Sequence, residues 1–382
     1  SRTMEKIRAA VVGFGGMGRQ YVQMIYDGEI DGMVLAGVCC RNEKGQNEIR
    51  TAYPGASVYP NVEAMFACGD EFDAVVVVTP HATHVEIGKM AAAAGKHILL
   101  DKPAGISTKE VKGLINAAAR AGVCLGMIFN TRMNRVFFRA KEMIECGELG
   151  RLNRAVWISN IWFRTPAYHN SASWRSTWEG EHGGLLINQS QHFLDVWQWL
   201  LGMPDQVLAT VECGKYSDIT VDDSLDIQFF YDNGLHGTFI ASSGEYPGVN
   251  RLEIWGTKGR LCIEDSSRII FDENVMSTDE FNRLNQDIYG MPEHYAREIA
   301  VEKNGVEGYQ KIFQNFTDHL LKGEPLLATG EDGLHVLMIA NGAYLSSWQG
   351  QRVEFPIDDE KYAVMLEEKV RDEQKLLSCL DR

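Results

Sequence analysis

The stretch IRAAVVGFGGMGRQYVQMIY, residues 7–26, decides how the chain is read. Ile7 to Val12 is a short apolar run of strand type, and Tyr21, Val22, Met24 and Ile25 recur at helical spacing. Between them lies Gly13-Phe14-Gly15-Gly16-Met17-Gly18, a G-x-G-x-x-G turn with glycines at 13, 15 and 18. Strand, turn and helix in this order are the context in which such glycines bind a pyrophosphate. Gly13 permits the tight turn, Gly15 lets backbone approach the phosphates, and Gly18 lets the helix pack on the strand. The helix N-terminus then offers unpaired N–H groups and a partial positive charge to the anion. A ligand-free tight turn and a methyl-donor site, which uses a similar loop, are the alternatives.

Outward from this turn, apolar β-branched runs alternate with helical patterns. Strands are expected at Val34 to Cys40, Ser57 to Tyr59, Ala74 to Val78, His97 to Leu100 and Val123 to Ile128. Ala74 to Val78 (AVVVV) is continuously apolar, as a strand covered on both faces must be. The alanine-rich segments Val85 to Ala94 and Lys109 to Ala121 read as helices. This alternation implies a doubly wound parallel sheet of Rossmann type.

After about residue 130 the rhythm changes. A helix from Val136 to Cys146 stops at Gly147, and a strand follows from Ala155 to Trp162. Next come an aromatic, polar loop from Phe163 to His182 and an apolar helix opening at Gly183-Gly184 and running to Leu201. Strands in series fill Gln206 to Ile270, with a hairpin break at Asp232-Asn233-Gly234. Two helices, Tyr309 to Leu321 and Asp332 to Trp348, precede a charged helical tail from Asp358 to Leu380. The fold class expected is α/β: a Rossmann domain over residues 1–130, then an α+β domain over 131–382 with a largely antiparallel open sheet.

Composition narrows the function. The 382 residues carry a formal net charge of −15, which opposes binding to a nucleic-acid backbone or an anionic membrane. No apolar run approaches the roughly 20 residues of a membrane helix. The 8 cysteines form no C-x-x-C pattern, and Cys124 and Cys262 lie in apolar runs, as reduced thiols of a cytoplasmic protein do. The start, Ser1-Arg2-Thr3-Met4, has no apolar signal core, which agrees with a cytoplasmic location. His81 and His84 have H-x-x-H spacing, but no neighbouring carboxylate or cysteine completes a metal site, so none is expected. The second strand ends Cys39-Cys40-Arg41 without the acid that usually holds a ribose 2′-hydroxyl, and Glu43 comes late. Arg41 can stack on adenine or meet a 2′-phosphate, which leans towards NADP. An ordinary solvated loop arginine is the other reading.

Three further motifs occur in order. Thr79-Pro80-His81-Ala82-Thr83-His84 follows the fourth strand, Asp101-Lys102-Pro103 follows the fifth, and Gly183-Gly184 precede Asn188 and His192. With the late Glu331-Asp332-Gly333, this set resembles the Gfo/Idh/MocA family, the glucose–fructose oxidoreductase and inositol dehydrogenase group, over essentially the whole chain. The resemblance implies NAD(P) as cofactor, held by Gly13 to Gly18, Arg41, Thr79, Pro80, His81, His84, Asp101, Lys102, Arg132 and the pair Trp174-Arg175. The family usually has Glu-Lys-Pro where this chain has Asp101-Lys102-Pro103, so a carboxylate is kept with a shorter reach. Lys102 is implied to contact both the nicotinamide region and the substrate hydroxyl, and Pro103 to follow a cis bond. His192 matches the family histidine, and Asn188 stands where the family has aspartate. A homo-oligomer, dimer or tetramer, is also implied.

Oxidising an alcohol requires a base within hydrogen-bond reach of the hydroxyl while hydride leaves the carbon. His192, with an ordinary pKa of about 6.5, suits that role. Lys102 places positive charge where alkoxide develops. Asn188 cannot accept a proton but can orient a hydroxyl through its amide. With helix continuing from Gly184, Asn188 and His192 stand i, i+4 on one face, and Asp195 lies near that face as a structural partner. Phe163, Tyr168, Trp174 and Trp178 are either a sugar-stacking wall or core and interface. The expected function is hydride transfer between nicotinamide and a secondary alcohol carbon of a sugar or polyol. Alternatives are redox-neutral glycoside cleavage or epimerisation through a 3-keto intermediate with retained NAD, and a non-catalytic nucleotide-binding sensor.

Overall fold

The structure is a computed structural model, and it describes residues 5–302 and 308–380. In chain order the first part runs β1 (Ile7–Val12), α1 (Gly16–Tyr26), β2 (Met33–Cys39), α2 (Glu43–Ala52), β3 (Ser57–Tyr59), α3 (Val62–Ala67), β4 (Ala74–Val77), α4 (His84–Ala93), β5 (His97–Leu100), α5 (Thr108–Ala121) and β6 (Leu125–Met127). The rest runs α6 (Arg135–Glu145), β7 (Leu152–Ser159), α7 (Pro166–His169), α8 (Gln191–Leu201), β8 (Gln206–Cys213), β9 (Asp222–Phe230), β10 (His236–Ser242), β11 (Asn250–Gly256), β12 (Gly259–Glu264), β13 (Arg268–Asn274), α9 (Thr278–Leu284) and β14 (His294–Ile299). It closes with α10 (Gly308–Lys322), α11 (Gly330–Gln349), β15 (Val353–Glu354) and α12 (Asp359–Leu380). The chain divides into two compact units, the first reaching to Met133 and taking in α10 and α11 as far as Leu337.

The first unit is built on a six-stranded sheet in the order β3-β2-β1-β4-β5-β6, with every pair parallel. Ala74 to Val77 of β4 are wholly buried, which explains why that strand is apolar at every position. The order reverses between β1 and β4, so their carboxyl ends diverge and leave a crevice above the sheet. Helix α1 buries Tyr21 against Tyr309 and Phe313 of α10, with ring centroids 5.3 and 4.9 Å apart. The end of β6 is tied to the segment ahead of α11: the Met127 N–H donates to the Ala328 carbonyl at 3.0 Å.

The second unit is built on a nine-stranded sheet in the order β14-β13-β12-β11-β7-β10-β9-β8-β15. Only β7 and β10 run parallel, and the other pairs are antiparallel. Helix α8 buries Phe193, Leu194, Val196 and Trp197. Phe193 stacks on Trp157 of β7 with centroids 4.4 Å apart, and Trp197 lies against Phe229 of β9 and Phe239 of β10. The Trp157 indole N–H is satisfied in this interior by the Asn250 side-chain oxygen at 3.0 Å.

One expectation is corrected here. The apolar helix does not open at Gly183-Gly184; regular helix begins at Gln191. Residues 184–190 form turns instead, because the buried carboxylate of Asp222 on β9 takes the N–H groups of Gly184 and Leu186, both at 2.8 Å. Asn188 therefore stands ahead of α8 and shares no helix face with His192.

His97, at the start of β5, accepts the Cys124 N–H through Nδ1 at 3.0 Å, a bond only an unprotonated Nδ1 can make. Burial lowers its pKa below the ordinary 6.5, with smaller effects from Asp73, His319 and Lys96. A depressed imidazole pKa means that the unfolded chain takes up a proton the folded chain refuses, so stability falls as pH drops below about 6.5. We expect His97 to titrate below 6.5 by NMR. A His97→Asn variant should lose less of its melting temperature than wild type between pH 7 and pH 5.

Candidate active site

The turn after β1 is held open by sterics. Gly13 has φ +107°, and a Cβ there would sit 2.3 Å from the Val78 carbonyl oxygen. A Cβ on Gly18 would sit 2.2 Å from the Gly13 carbonyl oxygen, so helix and turn touch through bare backbone. Gly15 is the N-cap of α1, with no side-chain cap and no acid in the first turn. Nothing lies within 4 Å of a Cβ built on Gly15 or Gly16. An uncapped helix N-terminus facing open space, with no carboxylate competing, fits the pyrophosphate of a dinucleotide. Phe14 beside it carries the Arg19 guanidinium 4.2 Å above its ring, and Arg19 also pairs with Glu48. Met17 is half-buried in the first turn of α1.

The loops after β2, β4 and β5 leave the same edge of the sheet. After β2, Cys39 and Cys40 are buried and Arg41 is exposed. Asn42 caps α2 through the Gly45 N–H at 2.6 Å, fixing the turn that presents Arg41. After β4, Pro80 is exposed and His81 half-buried in a single 3-10 turn. After β5, the Lys102 N–H donates to the Asp101 carboxylate at 2.9 Å, and the Lys102–Pro103 bond is cis. Burial pushes the Asp101 carboxyl up, and Lys102, then His84, pull it back.

Two residues expected at the cofactor also brace the fold. His84 is buried, with Nδ1 2.7 Å from the Pro103 carbonyl oxygen and Nε2 2.7 Å from that of Thr79. It ties the loop after β4 to the loop after β5 and so braces the backbone that carries Lys102. Arg132 is 1% exposed and donates to the Leu327 carbonyl at 2.7 Å and to Asp332 at 3.3 Å. It pins the end of the parallel sheet to the start of α11.

In the second unit the candidate side chains lie on the segment between β7 and α8 and in the first turn of α8. His192 is in the first turn of α8 and half-buried, whereas Asp195 is fully buried and accepts from the Gln198 amide at 3.1 Å. Asn188 donates through Nδ2 to Glu181 Oε2 at 3.0 Å. Glu181 itself is 3% exposed, and its Oε1 accepts the Ser176 N–H at 3.1 Å. Ser176 and His182, on either side of it, have φ of +55° and +60°. Such backbone costs about 1–3 kcal/mol per residue, so the segment keeps its shape only because other contacts hold it. The carboxylate of Asp222 is one of them, since the Tyr344 hydroxyl joins the two N–H donors at 2.6 Å. Burial raises the Asp222 carboxyl while these donors lower it.

The aromatic residues divide. Trp178 is core: its indole donates to the Thr220 carbonyl at 2.9 Å, and its ring meets Tyr344 and Trp348. Trp174 is half exposed, and the Arg175 guanidinium lies 4.7 Å above its ring and 4.6 Å above that of Tyr168. Tyr168 receives hydrogen bonds from Arg175 at 2.8 Å and Gln189 at 3.1 Å. Arg164, Tyr168, His169, Glu181, Asn188 and Gln189 line one polar cleft. Glu181 and Asp222 had no signal in the sequence, because their importance comes from partners that only the folded chain supplies.

A parallel sheet with an open glycine turn at its switch point, followed by an open mixed sheet, defines a two-unit dinucleotide-binding protein. Residues 7–129 match the oxidoreductase family with an NAD-binding Rossmann fold, and residues 137–262 match the GFO/IDH/MocA C-terminal domain. The chain is 25% identical to myo-inositol 2-dehydrogenase of Thermotoga maritima, over 95% of this chain and 100% of that one. It is 31% identical to an oxidoreductase of Schizosaccharomyces pombe, over 81% of this chain and 88% of that one. The WlbA dehydrogenase from Chromobacterium violaceum, solved with NADH and UDP-GlcNAcA, superposes with a TM-score of 0.79 at 24% identity, covering 94% of this chain and 98% of that one. The chain belongs to the GFO/IDH/MocA oxidoreductase family, and its first unit is of the NAD(P)-binding kind.

The glycines of the turn make separable predictions. Gly13→Ala forces a Cβ into the Val78 carbonyl at a left-handed position and should cost about 3 kcal/mol or more of stability. Gly15→Ala meets nothing in the protein and should stay within about 0.5 kcal/mol of wild type. Its methyl would fill the space for phosphate, so NADH binding should weaken by about tenfold or more, a difference of about 1.4 kcal/mol. Thermal melts and fluorescence titration read the two effects.

Proposed function

We propose that this chain transfers a hydride between NAD(P) and a secondary alcohol carbon of a sugar or polyol, the first unit holding the dinucleotide and the second the substrate. The observation that carries the reading is the convergence of the open glycine turn and the Asp101-Lys102-Pro103 loop on one edge of the parallel sheet. The inositol dehydrogenase relative supports the substrate class.

When bound, the dinucleotide would supply the hydride acceptor or donor. Gly13 to Gly18 would hold its phosphates, and Thr79, Pro80 and His81 would flank it, with Asp101 next to the lysine. Lys102 would bring a positive charge to the substrate hydroxyl, lowering the cost of alkoxide character. His192 would take the hydroxyl proton, and would return it in the reverse direction. Trp174 and Arg175 form a flat, cationic surface suited to a ring bearing hydroxyls or to the cofactor. Arg41, exposed after a second strand that lacks an acid at Cys40, favours the 2′-phosphate of NADP. All eight cysteines are free thiols, and burial pushes those of Cys39 and Cys124 up to about 11, in keeping with a reducing cytoplasm. No helix among the described residues is long and apolar enough to cross a membrane. A homo-oligomer is part of the same reading.

A panel of inositols, aldoses and polyols assayed with NAD and NADP separately, at the reduced-nicotinamide absorbance, tests it. We expect turnover with at least one polyol, and a preference for NADP that Arg41→Ala reduces. Lys102→Ala should lower kcat by about 10²–10³ and His192→Ala by about 10²–10⁴, with NADPH still bound. No turnover with any compound, or full activity in both variants, would refute the assignment.

A further inference from the structure

The C-terminal helix carries a buried carboxylate that the chemistry above does not use. Helix α12 buries three side chains, Tyr362, Leu366 and Glu373, spaced to share one face. Tyr362 stacks on Trp348 of α11 with centroids 5.6 Å apart, and Lys369 lies 5.4 Å from the centre of the same indole. Apolar packing accounts for the first two side chains and not for Glu373. It is 3% exposed, and burying a carboxylate is costly unless donors satisfy it. Its donors come from elsewhere in the chain: the Trp178 N–H at 2.8 Å, the Glu179 N–H at 3.1 Å and the Thr220 hydroxyl. The two N–H groups open a single turn, closed by the Glu181 N–H on the Thr177 carbonyl at 3.0 Å and the His182 N–H on the Trp178 carbonyl at 3.1 Å. The first N–H groups of such a turn have no acceptor within it, and Glu373 supplies one from another helix.

The same turn is pressed against Trp174. The Thr177 hydroxyl donates to the Trp174 carbonyl at 2.8 Å and accepts the Gly180 N–H at 2.9 Å. A Cβ on Gly180 would stand 2.1 Å from the Trp174 carbonyl oxygen, so the two stretches of backbone touch directly. Trp174 therefore cannot shift without moving the turn, and the turn is held from α12. We infer that Glu373 is a positioning residue: through the turn at 177–182 it fixes the Trp174-Arg175 surface, which makes the C-terminal helix part of the ligand site without itself contacting a ligand. The inference rests on the proposed function, in which that surface receives a ring of the substrate or the cofactor. It requires that Glu373 act through Trp174, which a merely structural glutamate would not do. Glu373→Gln keeps the shape of the side chain, but its amide nitrogen cannot accept, so the donors of the turn are left with one oxygen between them.

The test is a cycle of wild type, Glu373→Gln, Trp174→Ala and the double variant. Leu366→Ala is the control, since it loosens the packing of the same helix and leaves the carboxylate in place. The readings are kcat and KM on a polyol turned over by wild type, NADPH binding, and amide hydrogen exchange over residues 172–183, each taken where the protein is fully folded. Glu373→Gln should lower kcat/KM by about tenfold or more, the order of effect that a misplaced ligand contact has. It should move the same parameter, KM or kcat, that Trp174→Ala moves. The double variant should be no worse than Trp174→Ala alone, a coupling far from additive. Hydrogen exchange over 172–183 should quicken in Glu373→Gln, and Leu366→Ala should melt lower with kcat/KM within about twofold of wild type. Additive losses, a Glu373→Gln enzyme equal to wild type, or a Leu366→Ala enzyme as impaired as Glu373→Gln would overturn the inference while leaving the proposed function standing. A wild type inactive on every polyol would overturn the proposed function, and the exchange measurement would still decide whether Glu373 fixes the turn.

Discussion

The carbonyl oxygen of Val78 stands 2.3 Å from where any side chain on Gly13 would begin, and the first unit is arranged around that contact. It exists because β1 and β4 are parallel neighbours whose ends are level, with Val12 beside Val77. Once the turn after β1 is forced against the end of β4, helix α1 must leave with its N-terminus over the crevice. The loops after β4 and β5 emerge at the same edge for the same reason. A parallel sheet puts all its carboxyl ends on one side, so chemistry carried on loops far apart in sequence is gathered without any loop having to travel. His84 then locks two of those loops to each other through backbone carbonyls.

The second unit solves a different problem. Its candidate side chains lie on an irregular segment between a strand and a helix, where nothing repeats. Two buried carboxylates do there what a ladder of hydrogen bonds does in regular structure. Asp222 gathers Gly184, Leu186 and Tyr344, and Glu181 gathers Ser176 and Asn188. Each carboxylate would be costly in isolation, and each is offset by donors the segment could not otherwise satisfy. Left-handed backbone at Ser176 and His182 is tolerated within this frame.

These two situations explain what the sequence made legible. The parallel sheet could be read because burial on both faces demands unbroken apolar strands such as Ala74 to Val77, and because a glycine turn between strand and helix has few other uses. The antiparallel series was readable from strands following one another with a hairpin break at Asp232-Asn233-Gly234. The start of α8 was misread because Leu185, Leu186 and Ile187 look helical, while the group that holds them in turns, Asp222, is more than thirty residues away. The resemblance put His84 and Arg132 at the cofactor, but that both also brace backbone carbonyls far along the chain had no local signal. The packing of α10 with Tyr21 has no local signature at all, since it joins residues nearly three hundred positions apart.

The account stands on hydride leaving a carbinol carbon for a dinucleotide held by the glycine turn. The most direct measurement uses a polyol carrying deuterium on the carbon that is oxidised, with mass spectrometry of the nicotinamide after a single turnover. The account predicts one deuterium on the nicotinamide ring for each carbonyl formed. Carbonyl product with no label on the ring, or label lost to water, would contradict it.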